Sequence, residues 1–588
     1  MAHAASRIAR TRHIDAFDAG CEPARCYCKG TTETDPVSSI VQGRPLSLPR
    51  RRSRLTEEHH LSTGNHLAHI DGASHPILAR MARSPLIAHL LLGGMILLEA
   101  CALLVEAHQK PFWIDEILTF HVSGLHPFAR VWDALYAGMD GMTPTYYAIM
   151  QVTRLLPGDP ETVLRIPSIA GYALTLFSVY SFARTRWMPL AGLAAVMLIM
   201  LTPFRQYGIE ARSYALLVGC FAASAALWQR IDRHHFATPL FTVFLVLAVS
   251  LHYYAIILLS AFGAAELTYS LLAKRVRWSV WFSFLLATSA SIATLPILLR
   301  TAKLFSAHFW SRPALRDIAA TYGFYLGIIG WFTVIFIVTF AVLFGAMALR
   351  AVQSYRSDDT KGDRSDWPDL VLVVGFLSYP ALLVIVALAL HGGYTPRYGW
   401  PVIIGAALAT VFFFKPLSQR IPLGPITIIV LTLFACRGIA DVWALAHGAR
   451  DLTRTQWATL LNAARESPGL PIIMDSKQQY FVADHYAPPE LKSRLMTVID
   501  TDMAARLDGY DTDDRFTQVA ANYTPLHIIN LSELNSLPNG FFFVAAAGQR
   551  YWIRKYLVEH RYHLALIATD TESDIYKAEQ GRGHTTPQ

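Results

Sequence analysis

Apolar segments of bilayer-spanning length recur from about residue 85 to about residue 445, with short polar links between them. Since a membrane helix needs about 20 mostly apolar residues, this pattern predicts about eleven transmembrane helices. The predicted spans are 85–107, 165–184, 189–204, 209–229, 236–252, 254–273, 278–299, 323–349, 368–390, 398–414 and 422–445. A chain that is 53% hydrophobic and 16% charged is therefore expected to be a polytopic α-helical membrane protein.

The two ends of the chain break this pattern in different ways. Residues 1–80 are polar, rich in Arg and His and without apolar periodicity, which predicts a disordered cytoplasmic tail. Met81 opens a basic stretch followed by a membrane helix, so it is a candidate translation start. Residues 446–588 alternate helical patterns with the apolar runs "GLPIIMD", "NGFFFVAA" and "HLALIA", which predicts a soluble α/β domain. A role in docking or as a lid is favoured there over catalysis.

Basic residues alternate between the links and so predict the orientation of the helices. Cytoplasmic loops retain Lys and Arg, and alternate links contain Arg184, Arg230, Arg275, Lys361 and Arg420 with further basic neighbours. The amino-terminal tail is therefore expected inside and the carboxyl-terminal domain outside. A net charge of +8 in a membrane protein usually reflects cytoplasmic loops, and no nucleic-acid partner is expected.

The first outer loop, within residues 108–164, contains two half-apolar stretches that are too short to cross a bilayer. They are "PFWIDEILTFHVSG" and "TPTYYAIMQVTRLL", and they predict helices that lie in the membrane interface. The first stretch carries two adjacent acids, Asp115 and Glu116. These acids are either a polar helix edge stabilised by the helix dipole or part of a reaction site.

Further charged clusters are predicted at the outer mouths of later helices. "YGIEARSYALL" contains Glu210, Arg212 and Tyr214, and "YTPRYGW" contains Arg397 and Tyr398. Charges near a membrane helix invite partners. Glu210 and Arg212 could pair with each other or with lipid headgroups, and Arg397 could be a headgroup anchor.

Taken in order, these pieces resemble one known family. The outer "W-x-D-E", "TPTYYAIMQ", "RQYGIEARSYALL", "HYYAIILL" and "YTPRYGWPVIIGAALA" are similar to the GT-C membrane glycosyltransferases of the protein mannosyltransferase and aminoarabinose transferase type, glycosyltransferase family 39. The resemblance covers about residues 85–415. "MTPTYY" departs from it, since the family usually has a His-Pro-Pro-like start there and only Thr143 and Pro144 keep part of it.

The resemblance implies an activity and a location. It implies an inverting glycosyltransferase of the bacterial inner membrane, with the carboxyl-terminal domain in the periplasm. The enzyme would move a sugar from a polyprenyl-phosphate donor to a glycolipid, polysaccharide or protein acceptor. Because metal dependence varies across this fold, a divalent cation is an open expectation.

Elementary chemistry assigns roles to the clustered residues. The attacking hydroxyl needs a base, and the departing lipid phosphate needs positive charge. Asp115 and Glu116 lie about 100° apart on a helix, so one of them should act directly and the other should support it. The resemblance implies that Asp115, which matches the family's first acidic residue, is the base or acceptor-orienting group. Glu116 is predicted to support it by holding a metal, a cation or the local helix.

The remaining candidates are predicted to bind substrate. Arg212 and Arg397 would contact the lipid phosphate, since Arg binds phosphate through a planar fork. Glu210 would lie beside the sugar or a metal. Weaker candidates are His252, for which a purely structural role is the main alternative, and Arg165, which matches the family's Arg-Leu-Pro element as "RIPS".

A lipid-linked sugar flippase or transporter is the alternative function. Such a protein would share the membrane helices and their charges. It should also show internally repeated halves and charged or broken helices at the bilayer midplane. No such repeat is visible in the sequence and the acids lie at one face, which favours an enzyme.

Overall fold

The computed structural model describes residues 85–186, 189–305, 308–326, 366–417, 432, 436, 438–440, 443, 452–537, 540–570 and 572–580. These residues all belong to one compact unit. The predicted tail 1–80 lies outside them, as do most of the predicted spans 323–349 and 422–445. The helices up to residue 417 are α1 (Pro85–Gln109), α2 (Ile114–Ser123), α3 (Phe128–Ala137), α4 (Pro144–Thr153), α5 (Pro160–Val163), α6 (Ile166–Arg186), α7 (Pro189–Met200), α8 (Phe204–Tyr207), α9 (Tyr214–Trp228), α10 (Ala237–Ser250), α11 (Leu259–Ala273), α12 (Trp278–Ala293), α13 (Leu295–Phe305), α14 (Asp317–Leu326), α15 (Trp367–Ala389) and α16 (Val402–Leu417), with 3₁₀ helices at Tyr253–Leu258 and Pro396–Gly399.

The protein is a mostly helical membrane protein with a carboxyl-terminal sheet domain. In the described part of the chain, four helical stretches are long and apolar enough to cross a membrane. The number rises to five if α12 and α13, which meet at a bend of 48°, form one span. Helices α9, α10 and the apolar part of α16 are shorter apolar helices. The total of about eleven spans and the orientation of the helices stay predictions.

The predicted interfacial stretches form short helices rather than spans. Helix α2 covers most of "PFWIDEILTFHVSG", and α4 covers most of "TPTYYAIMQVTRLL". The sequence did not predict α3, which lies between them and ends at Gly138. This glycine has a φ of 93°, a left-handed conformation that glycine adopts without a Cβ penalty and that commonly ends helices. The chain therefore turns sharply just before Asp140.

Helices α6 and α9 approach each other so closely that only glycine fits at their crossing. A Cβ on Gly171 would lie 2.4 Å from the backbone of Leu216, and a Cβ on Gly219 would lie 2.4 Å from the carbonyl oxygen of Gly171. Small residues allow membrane helices to pack backbone to backbone. Because Arg165 directly precedes α6 and Arg212 lies just before α9, this contact sets the spacing of two arginines of the candidate site.

The carboxyl-terminal domain contains a six-stranded sheet with the strand order β3-β2-β1-β4-β6-β5. Strands β1 to β4 are parallel, with Ile472 opposite both Leu495 and Phe542, while β6 is antiparallel to both β4 and β5. This confirms the predicted α/β domain and its three apolar runs as β1, β4 and β5. The elements are α17 (Leu452–Arg465), β1 (Ile472–Met474), α18 (Lys477–Tyr486), α19 (Pro489–Lys492), β2 (Leu495–Ile499), α20 (Thr501–Asp508), α21 (Thr512–Ala520), β3 (Ile528–Asn530), α22 (Leu531–Asn535), β4 (Phe541–Ala546), α23 (Trp552–Glu559), β5 (His563–Thr569) and β6 (Ser573–Glu579).

The domain docks on the interfacial helices through α18. The backbone N–H of Phe112 donates to the hydroxyl of Tyr486 at 2.7 Å, and that hydroxyl donates to Glu161 at 3.1 Å. The ring of His485 packs edge-on against Phe120 of α2, with ring centroids 5.1 Å apart. These contacts place the sheet domain directly beside the start of α2, the helix that carries Asp115.

Candidate active site

The pair formed by Glu116 and Arg165 is completely closed to solvent. Both side chains have 0% exposure. The guanidinium of Arg165 donates through Nε and Nη2 to the two carboxylate oxygens of Glu116, at 2.7 and 2.6 Å. Its other N–H groups donate to the carbonyl oxygens of Ala107, Lys110 and Pro111. All five donors of Arg165 are thereby used, which leaves none for a substrate.

Glu116 connects this pair to the start of α2. Its carboxylate accepts the backbone N–H of Ala211 at 2.7 Å and that of Trp113 at 3.3 Å. A carboxylate in this first-turn position satisfies an orphan N–H and favours the helix dipole. Of its predicted roles, the contacts fit support of the local helix and of a cation, Arg165. The expectation that Arg165 contacts substrate is corrected, because that side chain caps the end of α1 instead.

Asp115 lies next to Glu116 in sequence but in a different environment. Its Oδ2 accepts from Nη1 of Arg397 at 2.7 Å and lies 3.6 Å from Nη2 of Arg212. The side chains of Asp115 and Arg397 remain 15% and 21% exposed. Burial raises the pKa of Asp115, but the charges of Arg212 and Arg397 outweigh it and hold the pKa below its ordinary value. The group is therefore a partly accessible anion.

Arg212 is bound mainly by an acid that the sequence did not single out. Its two terminal nitrogens lie 2.8 and 3.0 Å from the carboxylate oxygens of Asp140, in a bidentate arrangement. Asp140 also accepts from the hydroxyl of Tyr147 and, at 2.7 Å, from the N–H of Gly141. Arg212 is 4% exposed and donates to the carbonyl oxygen of Asp115 at 3.2 Å. This geometry holds Arg212 between Asp115 and Asp140. The Nε of Arg212 is also buried without a hydrogen-bond partner among the described residues, and its contact with the phosphate stays a prediction.

Arg397 is the more open of these two arginines. Its Nε is buried with no hydrogen-bond partner among the described residues. Its guanidinium carbon lies 5.7 Å from the ring centre of Trp113 and 6.0 Å from that of Tyr214. A cation over an aromatic face is favourably placed. Arg397 thus has donor capacity beyond its single bond to Asp115.

Three predicted site residues lie close together near Arg397, and they form what we call the aromatic wall: Tyr214, His252 and Tyr398. The ring centroids of His252 and Tyr398 are 4.6 Å apart, and Tyr214 lies 6.0 Å from His252 and 6.4 Å from Tyr398. The Nδ1 of His252 accepts the backbone N–H of Tyr254 at 3.3 Å, so a structural use of this histidine is present. The three rings form a lining that could contact a substrate held by Arg397.

Glu210 is a half-buried acid, and one of its two carboxylate oxygens is buried. Its Oε2 has no hydrogen-bond partner in the part of the chain that the structure describes. Burial raises the pKa of Glu210 to about 7, with smaller effects from Lys110 and Glu116. Instead of lying inside the predicted span 209–229, Glu210 and Arg212 precede α9, which begins at Tyr214. A group with this pKa changes its charge near neutral pH.

A metal centre is not evident in this cluster. Within the described ranges, no group of three or more His, Cys, Asp or Glu side chains is arranged to hold a metal ion. The acids that are present are each engaged by arginine or, for Glu210, isolated. The residues therefore do not fit a metal bound by protein ligands alone.

Comparisons with known proteins find distant structural likenesses. No protein-family model and no curated protein sequence matches the chain. ArnT from Cupriavidus metallidurans bound to undecaprenyl phosphate is 11% identical, with a TM-score of 0.44, over 85% of this chain and 99% of that chain. The oligosaccharyltransferase AglB from Archaeoglobus fulgidus, in complex with an inhibitory peptide and a dolichol-phosphate, is 13% identical, with a TM-score of 0.31, over 75% of this chain and 66% of that chain.

At these TM-scores both likenesses are distant.

Proposed function

We propose that this protein is an inverting glycosyltransferase that moves a sugar from a polyprenyl-phosphate donor to an envelope acceptor at the outer face of the bacterial inner membrane. The observation that carries the proposal is the pairing of Asp115 with Arg397. It places a partly exposed carboxylate against a cation with spare donors, on a short helix outside the spans. Both halves of a transfer from a lipid phosphate need such groups.

Arg397 is the residue that we assign to the donor phosphate. Its unpartnered Nε and its 21% exposed side chain leave it able to bind a phosphate oxygen through charge-assisted hydrogen bonds. The terminal nitrogens of Arg212 cannot turn to the phosphate without abandoning Asp140. The aromatic wall of Tyr214, Tyr398 and His252 then flanks the phosphate and its sugar.

Asp115 is assigned as the base in the same step. An arriving phosphate competes for Arg397, and a carboxylate that loses a cationic partner becomes more basic. The acceptor hydroxyl attacks the anomeric carbon and gives its proton to Asp115. The bond between that carbon and the phosphate oxygen breaks, and the electron pair leaves with the lipid phosphate beside Arg397. A single displacement of this kind inverts the anomeric configuration.

Glu210 is proposed to lie beside the sugar. As an anion it would stabilise the positive charge that develops at the anomeric carbon. In the proposed transfer, no metal ion takes part in a step. The requirement for a divalent cation stays a prediction, which treatment of the purified protein with a chelator tests.

A donor-consumption assay tests the proposal. The purified protein, incubated with radiolabelled polyprenyl-phosphate sugar and an envelope extract, should release polyprenyl phosphate and label the extract. Product anomers of opposite configuration to the donor are expected. A donor that moves between leaflets of a vesicle without being consumed would instead indicate a flippase.

A further inference from the structure

A cavity of about 180 Å³ lies where the sheet domain meets the start of α2. The sheet domain contributes Met474 of β1, Val544 of β4, Gln479 of α18 and Trp457 of α17, and the membrane part contributes Trp113. Its volume is below the roughly 300–1,000 Å³ of pockets for drug-sized ligands. The cavity therefore suits one small ring.

The topology of the sheet makes this position a natural binding site. Strand β1 is flanked by β2 on one side and by β4 on the other, so the order of the parallel strands reverses between β1 and β4. In open α/β sheets, ligands bind in the crevice outside the carboxyl ends of the strands at such a reversal. Met474 is the last residue of β1, and Gln479 lies in the first turn of the following helix.

Unsatisfied polar atoms indicate that the cavity takes a hydrogen-bonding ligand. The Oε1 of Gln479 and the Nε1 of Trp457 are both buried and lack a hydrogen-bond partner among the residues that the structure describes. Buried polar groups without partners are costly, so such atoms mark a missing ligand or water. One is an acceptor and the other a donor, which matches a molecule rich in hydroxyl groups.

The other residues that line the cavity narrow the chemical class of its ligand. Two tryptophans offer flat apolar faces, while Asp570, Glu572 and Ser573 contribute polar groups from the β5–β6 turn. A sugar ring has apolar C–H faces and a rim of hydroxyl donors, and carboxylates accept from such donors. Asp570 already accepts from the backbone N–H groups of Glu572 and Ser573 within the turn, and its negative charge disfavours an acidic ligand. The composition therefore favours a sugar that carries no acid group.

Trp113 connects this cavity to the candidate active site. Its ring lines the cavity, and the guanidinium carbon of Arg397 lies 5.7 Å from its centre. Arg397 in turn is bonded to Asp115. One aromatic side chain thus separates the cavity from the reacting pair.

We propose that this cavity is an acceptor subsite that binds a non-acidic sugar unit adjacent to the one that is glycosylated. This inference rests on the proposed function and makes it more specific: the acceptor is a glycan, as part of a polysaccharide or glycolipid, and not an unglycosylated protein. The sheet domain is then the part of the enzyme that selects the acceptor.

Binding of simple glycosides to the full-length protein tests the cavity without any turnover. Methyl glucoside and methyl glucuronide are the probes, and ligand-observed NMR is the readout. We expect methyl glucoside to bind and methyl glucuronide to bind at least about tenfold more weakly. Gln479→Ala should weaken glucoside binding by about tenfold because a polar partner is lost. Gln518→Ala, an exposed amide on α21 outside the cavity, is the matched control and should bind normally.

Kinetics separate this inference from the proposed function. With a glycan acceptor, Gln479→Ala should raise the KM for the acceptor and leave kcat and the KM for the lipid donor near normal. Equal glycoside binding by Gln479→Ala and wild type, or tighter binding of the glucuronide, would overturn the cavity assignment. A KM increase for the donor instead of the acceptor would overturn the acceptor role. Glycoside binding that depends on Gln479 in a protein without transferase activity would refute the proposed function while keeping the sugar site.

Discussion

Asp115 and Glu116 are neighbours in the chain, and each is paired with an arginine, yet the two pairs differ in almost every other respect. The pair of Glu116 with Arg165 is fully buried, and all five guanidinium donors are used. The pair of Asp115 with Arg397 is partly exposed and has spare donors. The difference teaches that two acid–arginine pairs of similar residue types can differ in exposure and in how many guanidinium donors they leave unused.

The largest expected effect comes from removing the negative charge of the partly exposed pair, Asp115 with Arg397. Asp115→Asn keeps the shape of the side chain but cannot accept the proton, so turnover should fall by a factor on the order of 10² to 10⁴. Release of polyprenyl phosphate from labelled donor measures it. The thermal unfolding temperature should fall less than in Glu116→Ala, because an Asn side chain can still accept a hydrogen bond from Arg397. Near-normal turnover would show that Asp115 is not the base.

Breaking the fully buried pair of Glu116 with Arg165 should lower the stability of the protein more than its turnover. Glu116→Ala leaves Arg165 buried and without its counter-charge, which should cost roughly 3–5 kcal/mol of stability. Thermal unfolding of the purified protein measures this against Asp115→Ala as the matched variant. Glu116→Leu combined with Arg165→Leu should recover part of the loss, since no unpaired charge remains. A stable but inactive Glu116→Ala would place Glu116 in the reaction.

Because the donor phosphate is assigned to Arg397, a change at this residue should weaken binding of the lipid donor. Arg397→Lys keeps the charge but loses the planar fork of donors. The KM for the lipid donor should therefore rise by about tenfold, the loss of one good charge-assisted contact. Arg212→Lys is the comparison, and it should lower stability without a selective change in donor KM. The reverse result would return the phosphate to Arg212.

The smallest expected effect is on the pH profile. Because burial raises the pKa of Glu210 to about 7, this group is neutral below that pH and anionic above it. If the anion stabilises the developing charge, kcat/KM should rise as pH increases through about 7. Glu210→Gln should be slower at high pH and should flatten that rise. An unchanged inflection in the variant would assign the titration to another group.

The sequence predicted the parts of this molecule that follow from periodicity. Apolar runs located the helices around residues 85–109 and 367–389 and the strands β1, β4 and β5, because burial requires those patterns. The short strands β2 and β3 were not among the apolar runs quoted from the sequence. Helix α9 begins later than predicted because hydropathy alone cannot distinguish a helix mouth from the turn before it.

The site was predicted in outline and not in its pairings. Asp115, Glu210, Arg212 and Arg397 were singled out, but which arginine meets which acid depends on contacts far apart in sequence. Asp140 was missed since a lone acid between Met139 and Gly141 carries no periodic signal. The nearest clue was its position in a glycine-containing turn ahead of an interfacial helix. Arg165 appeared similar to Arg397 in sequence because donor satisfaction is not visible there.

The hydroxyl of Tyr486 is a single atom shared by two parts of the protein. It accepts a hydrogen bond from the backbone N–H of Phe112, three residues before Asp115, and donates a hydrogen bond to Glu161. A chain cut at residue 446 would lose this atom and leave a backbone donor at the entrance of α2 without its bond. Removal of the sheet domain is therefore expected to disturb the start of α2. A ligand that stabilises the docked position of the sheet domain would therefore also stabilise the entrance of α2, the helix that contains Asp115.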